Sequence, residues 1–167
     1  VILGHAYKPV LDSVRYELDR GVNFCRPSII EGELAELLID TIPSAEMVKF
    51  AKNGSDAVTA AIKLARAHTG RDYIARCNAD PFNAVHDWFI GSTVVDRGVP
   101  KDVKNLTLKF DYNSIESCEK LIEGNRNKIA CFILEPLSIE KEQNNFLQKL
   151  KDLCDKNGII LIFDEVV

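Results

Sequence analysis

Two short, continuously apolar segments constrain the fold of this chain more than any other feature. They are KIACFIL at residues 128–134 and GIILIF at residues 158–163, and an amphipathic segment separates them. Strands that are apolar on both faces are typical of a parallel sheet with helices on each side, because both faces must be covered. The alternation of strands and helices therefore predicts an α/β fold with three layers and a mostly parallel sheet. The order of the strands stays open.

Hydrophobic periodicity predicts further strands and helices along the chain. The strands are expected at EMVKFAK (46–52), RDYIARC (71–77) and NLTLKF (105–110), and the helices at residues 9–21, 31–43, 53–70, 112–124 and 144–158. In the helix at 53–70 the apolar face is expected to hold Ala57, Val58, Ala61, Ile62, Leu64 and Ala65. The segment NADPFNAVHDWFIG (78–91) is expected to be an irregular loop.

Composition and charge exclude several classes of protein. The chain of 167 residues is 46% hydrophobic and carries a formal net charge of −4, so neither nucleic acid nor an anionic membrane is an expected partner. No apolar stretch is long enough to cross a membrane, and the first residues lack the features of a signal peptide. The five cysteines show no CxxC pair and no metal-ligand spacing. We therefore expect reduced thiols, a cytoplasmic location and no metal site.

Acidic residues follow two of the predicted apolar strands. Glu135 comes directly after IACFIL, and Asp164 comes directly after IILIF. Because ligands of parallel sheets bind at the carboxyl ends of the strands, either carboxylate is a candidate for binding a protonated ring nitrogen, a metal or a water. The structural alternative is that either one caps a neighbouring helix or pairs with an arginine or lysine.

The motif NGSDA at residues 53–57 lies at a predicted junction between a strand and a helix. Gly54 allows a close backbone approach, Ser55 adds a hydroxyl, and free amides at a helix start favour an anion such as phosphate. The simpler interpretation is a helix N-cap, in which Ser55 or Asp56 satisfies the first turn. Neither GxGxxG nor GxxxxGK[ST] occurs in the chain.

The segment IILIFDE (159–165) also fits a Walker B pattern, in which Asp164 would serve Mg²⁺ and Glu165 would position a water. That interpretation requires a Walker A motif earlier in the chain, and none precedes Asp164. A nucleotide-binding α/β domain is therefore the weaker alternative.

Four segments together resemble the class III aminotransferases, a family of fold-type I enzymes that depend on pyridoxal 5′-phosphate (PLP) and that includes glutamate-1-semialdehyde 2,1-aminomutase. Residues 1–21 are similar to the family's LGHAHP stretch and its following helix. Residues 32–74 are similar to the segment with the NSGTEA phosphate loop and the RLARAxTGR helix. FILEPL (132–137) is similar to the VEP strand end, and residues 147–167 are similar to the segment that ends in LIFDEV.

The resemblance implies a cofactor site for PLP. Gly54 and Ser55, with Asn53 in place of the family's serine, would hold the phosphate. Asp164 would pair with the pyridinium nitrogen and keep it protonated, and Val166 would pack beneath the ring. Glu135 would lie near the cofactor as support.

One loop departs from the family pattern. The family's YHG motif, whose aromatic ring stacks on PLP, is replaced by the longer segment at residues 78–91. Phe82 is the candidate for the stacking ring and Trp88 is the second choice, whereas the plain alternative makes Phe82 an ordinary core residue. His86 is interpreted as a surface or hydrogen-bonded residue rather than a base.

The family's Schiff-base lysine comes after FDEV, and no lysine of this chain follows Asp164. We therefore expect residues 1–167 to be part of a PLP-binding large domain, without its N-terminal segment, its second half or the small C-terminal domain. The expected parent reaction is PLP-dependent amino transfer between a small-molecule amino donor and acceptor, or within one substrate. Alone, the chain is expected to be inactive. The alternative is a non-catalytic module that binds or interacts.

The resemblance also implies a homodimer in the full-length protein. In that assembly the FCRPS segment, residues 24–28, would face the partner subunit.

Overall fold

A computed structural model describes residues 2–137 and 140–166 of the chain. The chain divides into two compact units, Val1–Lys49 and Phe50–Val167. Nothing among the described residues forms a helix that is both long enough and apolar enough to cross a membrane.

The first unit consists of two helices, α1 (Lys8–Leu18) and α2 (Ile29–Thr41). A proline in the first turn suits the start of α1 because the amide of that position has no helical partner. The start of α2 is capped by Ser28 and Glu31, whose Oε2 accepts a hydrogen bond from the Ser28 amide at 2.7 Å. The predicted end of this helix before Pro43 is confirmed, since α2 ends at Thr41.

The second unit contains a four-stranded sheet whose strands are all parallel, in the order β2-β1-β3-β4. Its elements are α3 (Gly54–Thr69), β1 (Tyr73–Cys77), α4 (Asp87–Ile90), α5 (Lys101–Lys104), β2 (Thr107–Phe110), α6 (Ile115–Gly124), β3 (Ile129–Leu134), α7 (Phe146–Asn157) and β4 (Ile160–Phe163). The predicted α/β class and the parallel sheet are confirmed.

Each face of the sheet is covered by its own hydrophobic cluster, and together the clusters explain why β3 is apolar at every position. Alternate residues of β1 and β3 pack with α6 and α7 on one side, where Phe132, Leu150 and Cys154 are fully buried. The intervening residues pack with α3 and α4 on the other side, where Ile62 and Ile133 are buried. All six residues of β3 are buried, as expected for a central parallel strand.

The predicted strand at residues 46–52 is wrong. This segment has no regular secondary structure, and its Met47 is 89% exposed. A strand needs a neighbour for its hydrogen bonds, and the segment pairs with none of the four strands in the sheet.

Two short helices were not predicted, and one apolar face is narrower than expected. The loop at residues 78–91 contains α4, and α5 precedes β2. On α3 the buried residues are Val58, Ile62 and Ala65, whereas Leu64 is 71% exposed.

Candidate functional site

Three strands deliver polar groups to one edge of the sheet. In the register of β3 and β4, Leu134 lies opposite Phe163, so Glu135 and Asp164 leave neighbouring strands at the same level. The Asp164 amide donates to the Leu134 carbonyl at 2.9 Å, which extends the ladder by one bond. The loop after β1 begins at the same edge. The prediction that Glu135 and Asp164 each follow a strand at the carboxyl edge of the sheet is confirmed, and the structure adds that the two strands are neighbours.

Asp164 is a buried carboxylate with two hydrogen-bond donors. The residue is only 7% exposed. Oδ2 accepts a hydrogen bond from Asn83 Nδ2 at 3.0 Å, and Oδ1 accepts one from the Val166 amide at 3.3 Å. Each of its two oxygens therefore already accepts one hydrogen bond from a neighbouring donor.

Two buried polar residues of this edge, Asp80 and Asn83, were missed by the sequence analysis. They are 3% and 4% exposed, and both belong to the loop after β1. Asp80 Oδ2 accepts a hydrogen bond from the Glu135 amide at 3.0 Å. Oδ1 of Asp80 and Oδ1 of Asn83 have no partner among the described residues. The sequence feature that could have identified them is the group of short polar residues in NADPFN, which directly follows an apolar strand.

Burial dominates the electrostatics of the acidic groups. Desolvation raises the pKa of Asp80, and this effect outweighs the opposite contributions of the Glu135 amide, Cys77, Asn83 and Arg76. Desolvation also raises the pKa of Glu135, and the negative charges of Asp80 and Asp164 raise it further. The carboxyl groups at this edge therefore resist being ionised together.

The start of α3 is capped by Asn53, not by Ser55 or Asp56 as the simpler interpretation expected. Asn53 Oδ1 accepts a hydrogen bond from the Asp56 amide at 2.9 Å, and its Nδ2 donates to Asp56 Oδ2 at 3.1 Å. The amides of Gly54 and Ser55 lie in the first turn, where a helix supplies no acceptor. They point out of the helix start and are available to an anion.

The loop after β1 is held against the first turns of α3. Ser55 Oγ accepts a hydrogen bond from the Val85 amide at 3.2 Å, so its hydroxyl proton is left to donate elsewhere. His86 Nε2 lies 3.2 Å from Asp56 Oδ1, in agreement with its interpretation as a hydrogen-bonded residue. Trp88 Nε1 donates to Thr59 Oγ1 at 2.9 Å.

The two aromatic candidates for a stacking ring have different surroundings. Trp88 is 5% exposed and packs in the cluster beneath α3, so the second choice for a stacking ring is wrong. Phe82 is 51% exposed, with its ring edge on Phe89 at a centroid distance of 5.6 Å. The alternative that Phe82 is an ordinary core residue is therefore wrong as well.

The side chain of Val166, which follows β4, contacts Gly54 at the start of α3. A Cβ added to Gly54 would lie 2.9 Å from Val166 Cγ1 and 3.0 Å from Cγ2, closer than real Cβ atoms approach. Glycine at this position thus permits the contact. The contact brings the amide donors of α3 and the buried carboxylate of Asp164 to one side of the sheet edge.

The arrangement combines donors for an anion with an acceptor for a protonated nitrogen. Of the residues predicted from the sequence, Gly54, Ser55, Glu135, Asp164 and Val166 lie at this edge, and Phe82 lies in the adjoining loop. The side chain of Asn53 is occupied as a cap, which leaves its backbone. Within residues 2–137 and 140–166, no group of three or more His, Cys, Asp or Glu residues is arranged to hold a metal ion.

Comparison with known proteins places the whole chain in one sequence family. The model of the family described as Aminotransferase class-III matches residues 1–167. A glutamate-1-semialdehyde 2,1-aminomutase of Methanothermobacter thermautotrophicus is 40% identical over 179 residues, which cover 100% of this chain and 42% of that protein. The chain thus spans less than half the length of this curated relative.

Two solved structures are similar to the described fold. An omega-transaminase from Sphaerobacter thermophilus superposes with a TM-score of 0.89 at 33% identity, covering 98% of this chain and 42% of that one. The FumI protein of Sphingopyxis sp. MTA144, solved with PLP, superposes with a TM-score of 0.80 at 25% identity, covering 95% and 39% of the two chains.

Proposed function

Because the chain belongs to the class-III aminotransferase family, we propose that this protein transfers an amino group with PLP as its cofactor. One observation carries the proposal. The contact between Val166 and Gly54 brings a buried carboxylate and a set of anion-binding amides to the same edge of the sheet. PLP carries an anionic phosphate and a ring nitrogen that can be protonated, and these are the two groups that such an edge would hold.

The start of α3 fits the phosphate. The amides of Gly54 and Ser55 are in the first turn, and the positive end of the helix dipole favours an anion there. Ser55 adds a hydroxyl group. Its oxygen already accepts a hydrogen bond from the Val85 amide, so its proton can be donated to the phosphate. Asn53 contributes through its backbone, since its side chain caps the helix.

Asp164 fits the ring nitrogen. Its carboxylate would accept a hydrogen bond from the protonated nitrogen and hold that proton in place, because a nearby negative charge favours the cationic ring. When bound, PLP supplies an electron sink that makes a proton on the substrate's amino-bearing carbon acidic. We assign the remaining cofactor-binding roles to Val166 and Phe82 on the two ring faces and to Glu135 beside the ring.

The substrates are small molecules that donate or accept an amino group, as the name of the aminomutase relative and the omega-transaminase neighbour suggest. An aminomutase needs one substrate, whereas a transaminase needs a separate donor and acceptor. Product formation from a single substrate would therefore separate the two activities. No lysine ammonium takes part in the hydrogen bonds of this edge within the described residues, so residues 1–167 by themselves are expected to bind the cofactor without turnover.

A PLP titration tests the proposed site. Asp164→Asn keeps the shape of the side chain and removes its charge, so we expect the affinity for PLP to fall at least about tenfold, the loss expected for one charge-assisted hydrogen bond. Ser55→Ala should weaken binding less. The control is Asp72→Asn, which alters an exposed carboxylate before the amino end of β1. Equal affinities of Asp164→Asn and the wild type would refute the assignment.

Further assignments concern assembly and location. We propose that residues 1–167 form part of a PLP-binding large domain, that the full protein is a homodimer, and that residues 24–28 face the partner subunit. Phe24 and Cys25 in that segment are exposed. The four remaining cysteines are free and buried, which supports a reducing compartment such as the cytoplasm. Light scattering of the purified protein tests the dimer.

A further inference from the structure

Asn83 is a buried polar residue of the proposed site that has no role in the function proposed above. It is 4% exposed and lies in the loop after β1. Its Nδ2 donates a hydrogen bond to Asp164 Oδ2 at 3.0 Å, whereas its own Oδ1 has no partner among the described residues. A buried amide with an unused acceptor costs more free energy than an apolar side chain of the same size, so its presence here requires an explanation.

The two hydrogen-bond donors of Asp164 come from different parts of the chain. The Val166 amide, which donates to Oδ1 at 3.3 Å, lies two residues further along the same segment and moves with Asp164. Asn83 lies 81 positions earlier, in the loop after another strand. In the part of the chain that the structure describes, it is the only side chain that donates a hydrogen bond to this carboxyl group. Asn83 therefore connects Asp164 to a different part of the sheet edge.

Together the two donors fix the orientation of the carboxyl group. Asn83 binds Oδ2 and the Val166 amide binds Oδ1, so rotation about the last side-chain bond of Asp164 would break the geometry of both hydrogen bonds. Each oxygen has a further lone pair with which it can accept a second hydrogen bond. A carboxyl group held in one orientation presents these acceptor positions at fixed places, as the binding of a single N–H donor requires.

The loop that carries Asn83 is anchored on both sides of this residue. Before it, Asp80 Oδ2 accepts a hydrogen bond from the Glu135 amide at 3.0 Å. After it, the Val85 amide donates to Ser55 Oγ at 3.2 Å. These two bonds attach the loop to the end of β3 and to the start of α3. Asn83 therefore reaches Asp164 from a backbone that is itself held in place.

We propose that Asn83 is a positioning residue, which holds the carboxyl group of Asp164 in the orientation that receives the protonated ring nitrogen of PLP. The inference rests on the proposed function, because the ring nitrogen is the target of Asp164. Asn83 acts through Asp164 and needs no contact with the cofactor. Asparagine suits this role because its amide donates without titrating, so the hydrogen bond is not lost when pH changes the charge of nearby acidic groups.

A cycle of PLP titrations tests the positioning role. Asn83→Leu keeps a similar volume and removes the donor, so the dissociation constant for PLP should rise about tenfold. The same substitution in an Asp164→Ala background should change it less than about twofold, because no carboxyl group is left to position. A loss of the same size in both backgrounds would overturn the proposal, since Asn83 would then act on the loop and not on Asp164.

The ¹⁵N resonance of PLP labelled at the ring nitrogen gives a second measurement, because it separates a protonated nitrogen from a neutral one. The label is bound at saturation to the wild type, Asn83→Leu and Asp164→Ala. We expect the protonated form in the wild type, and a shift of the Asn83→Leu resonance toward that of Asp164→Ala. Identical resonances for Asn83→Leu and the wild type would overturn the proposal. Asn83→Ala replaces the leucine variant in both experiments if that variant does not fold.

The matched control is Asn105→Leu. Asn105 is an exposed asparagine that precedes the amino end of β2, at the opposite edge of the sheet. This substitution should leave both the PLP affinity and the ¹⁵N resonance unchanged. A loss of affinity equal to that of Asn83→Leu would show that the effect does not depend on the bond to Asp164, and would count against the proposal.

Urea unfolding of the same variants without PLP separates this proposal from the proposed function. Each single substitution leaves a buried polar partner unsatisfied, whereas the double variant removes both partners. The combined effect of the two single substitutions on the unfolding equilibrium constant should therefore exceed that of the double variant by at least about tenfold. Additive effects would overturn the hold of Asn83 on Asp164. Absence of PLP binding by the wild type would instead contradict the proposed function, and with it the ring nitrogen as target.

Discussion

At the residue scale, Gly54 shows how packing can reverse an intrinsic preference. Alanine in place of glycine inside a helix usually stabilises by about 1 kcal/mol. Here the new Cβ would meet both methyl groups of Val166 at 3.0 Å or less. We therefore expect Gly54→Ala to displace Val166 from the start of α3 and to lower the affinity for PLP about tenfold, or ~1.4 kcal/mol. Fluorescence titration with PLP measures this loss.

Two further variants control that prediction. Gly124→Ala changes the last residue of α6, where an added Cβ meets nothing within 4 Å, so PLP affinity should not change. Gly54→Ala combined with Val166→Ala removes the methyl groups that clash and should recover part of the affinity. If Gly54→Ala binds PLP as tightly as the wild type, the contact with Val166 does not shape the site.

Asn53 illustrates a stabilising role that is separate from cofactor binding. Its Oδ1 accepts a hydrogen bond from the Asp56 amide, which otherwise has no partner in the first turn. Asn53→Ala should lower the free energy of unfolding by about 1 kcal/mol. Asn53→Ser should lower it much less, because serine is also a good N-cap residue. Urea denaturation without PLP measures both values. A serine variant as unstable as the alanine variant would contradict the capping role.

Residues differ in how far the sequence predicts their place in the site. Glu135 and Asp164 were predicted because each directly follows an apolar strand, and the parallel sheet fixes where strands end. Asp80 and Asn83 were missed because they lie in a loop, and loop burial depends on what the tertiary fold packs over it. No local pattern encodes that Asn83 reaches a carboxylate 81 positions further along the chain.

At the element scale, α3 offers a direct comparison of its two faces. Ile62 is 1% exposed beneath the helix, whereas Leu64, two positions on, is 71% exposed. Ile62→Ala should lower the free energy of unfolding by about 2–5 kcal/mol, because it removes buried methyl groups and leaves a cavity. Leu64→Ala should change it by less than about 0.5 kcal/mol. Chemical denaturation of both variants tests this, and equal losses would show that Leu64 is covered in solution.

Elements with strong internal patterns were predicted best. β3 and β4 are continuous apolar runs, and α3 and α7 combine an apolar face with a glycine in the left-handed conformation at the end. The segment at residues 46–52 has the composition of a strand, but a strand exists only when a neighbour completes its hydrogen bonds. Helices α4 and α5 have four residues each, which is about one turn and too short for a periodic signal.

At the scale of the whole molecule, buried surface is distributed unevenly. The unit Phe50–Val167 contains both hydrophobic clusters and the sheet. Among the described residues of Val1–Lys49, no side chain is buried, and apolar residues such as Val14, Leu18 and Leu37 are exposed. Local stability follows buried contacts, so the two units should differ in how often their hydrogen bonds open.

Hydrogen exchange of the full chain tests this difference. Exchange rates are compared after division by the rate that each amide would have in the unfolded chain. On this scale the amides of α1 and α2 should exchange at least about a hundredfold faster than those of β1 and β3. The reason is that an opening of the helices exposes no buried core and therefore requires less free energy. Comparable protection of the four elements would contradict the expectation. Protection of α1 and α2 that grows with protein concentration would mean that a second copy covers their apolar faces. Protection independent of concentration would instead mean that the chain itself covers them in solution.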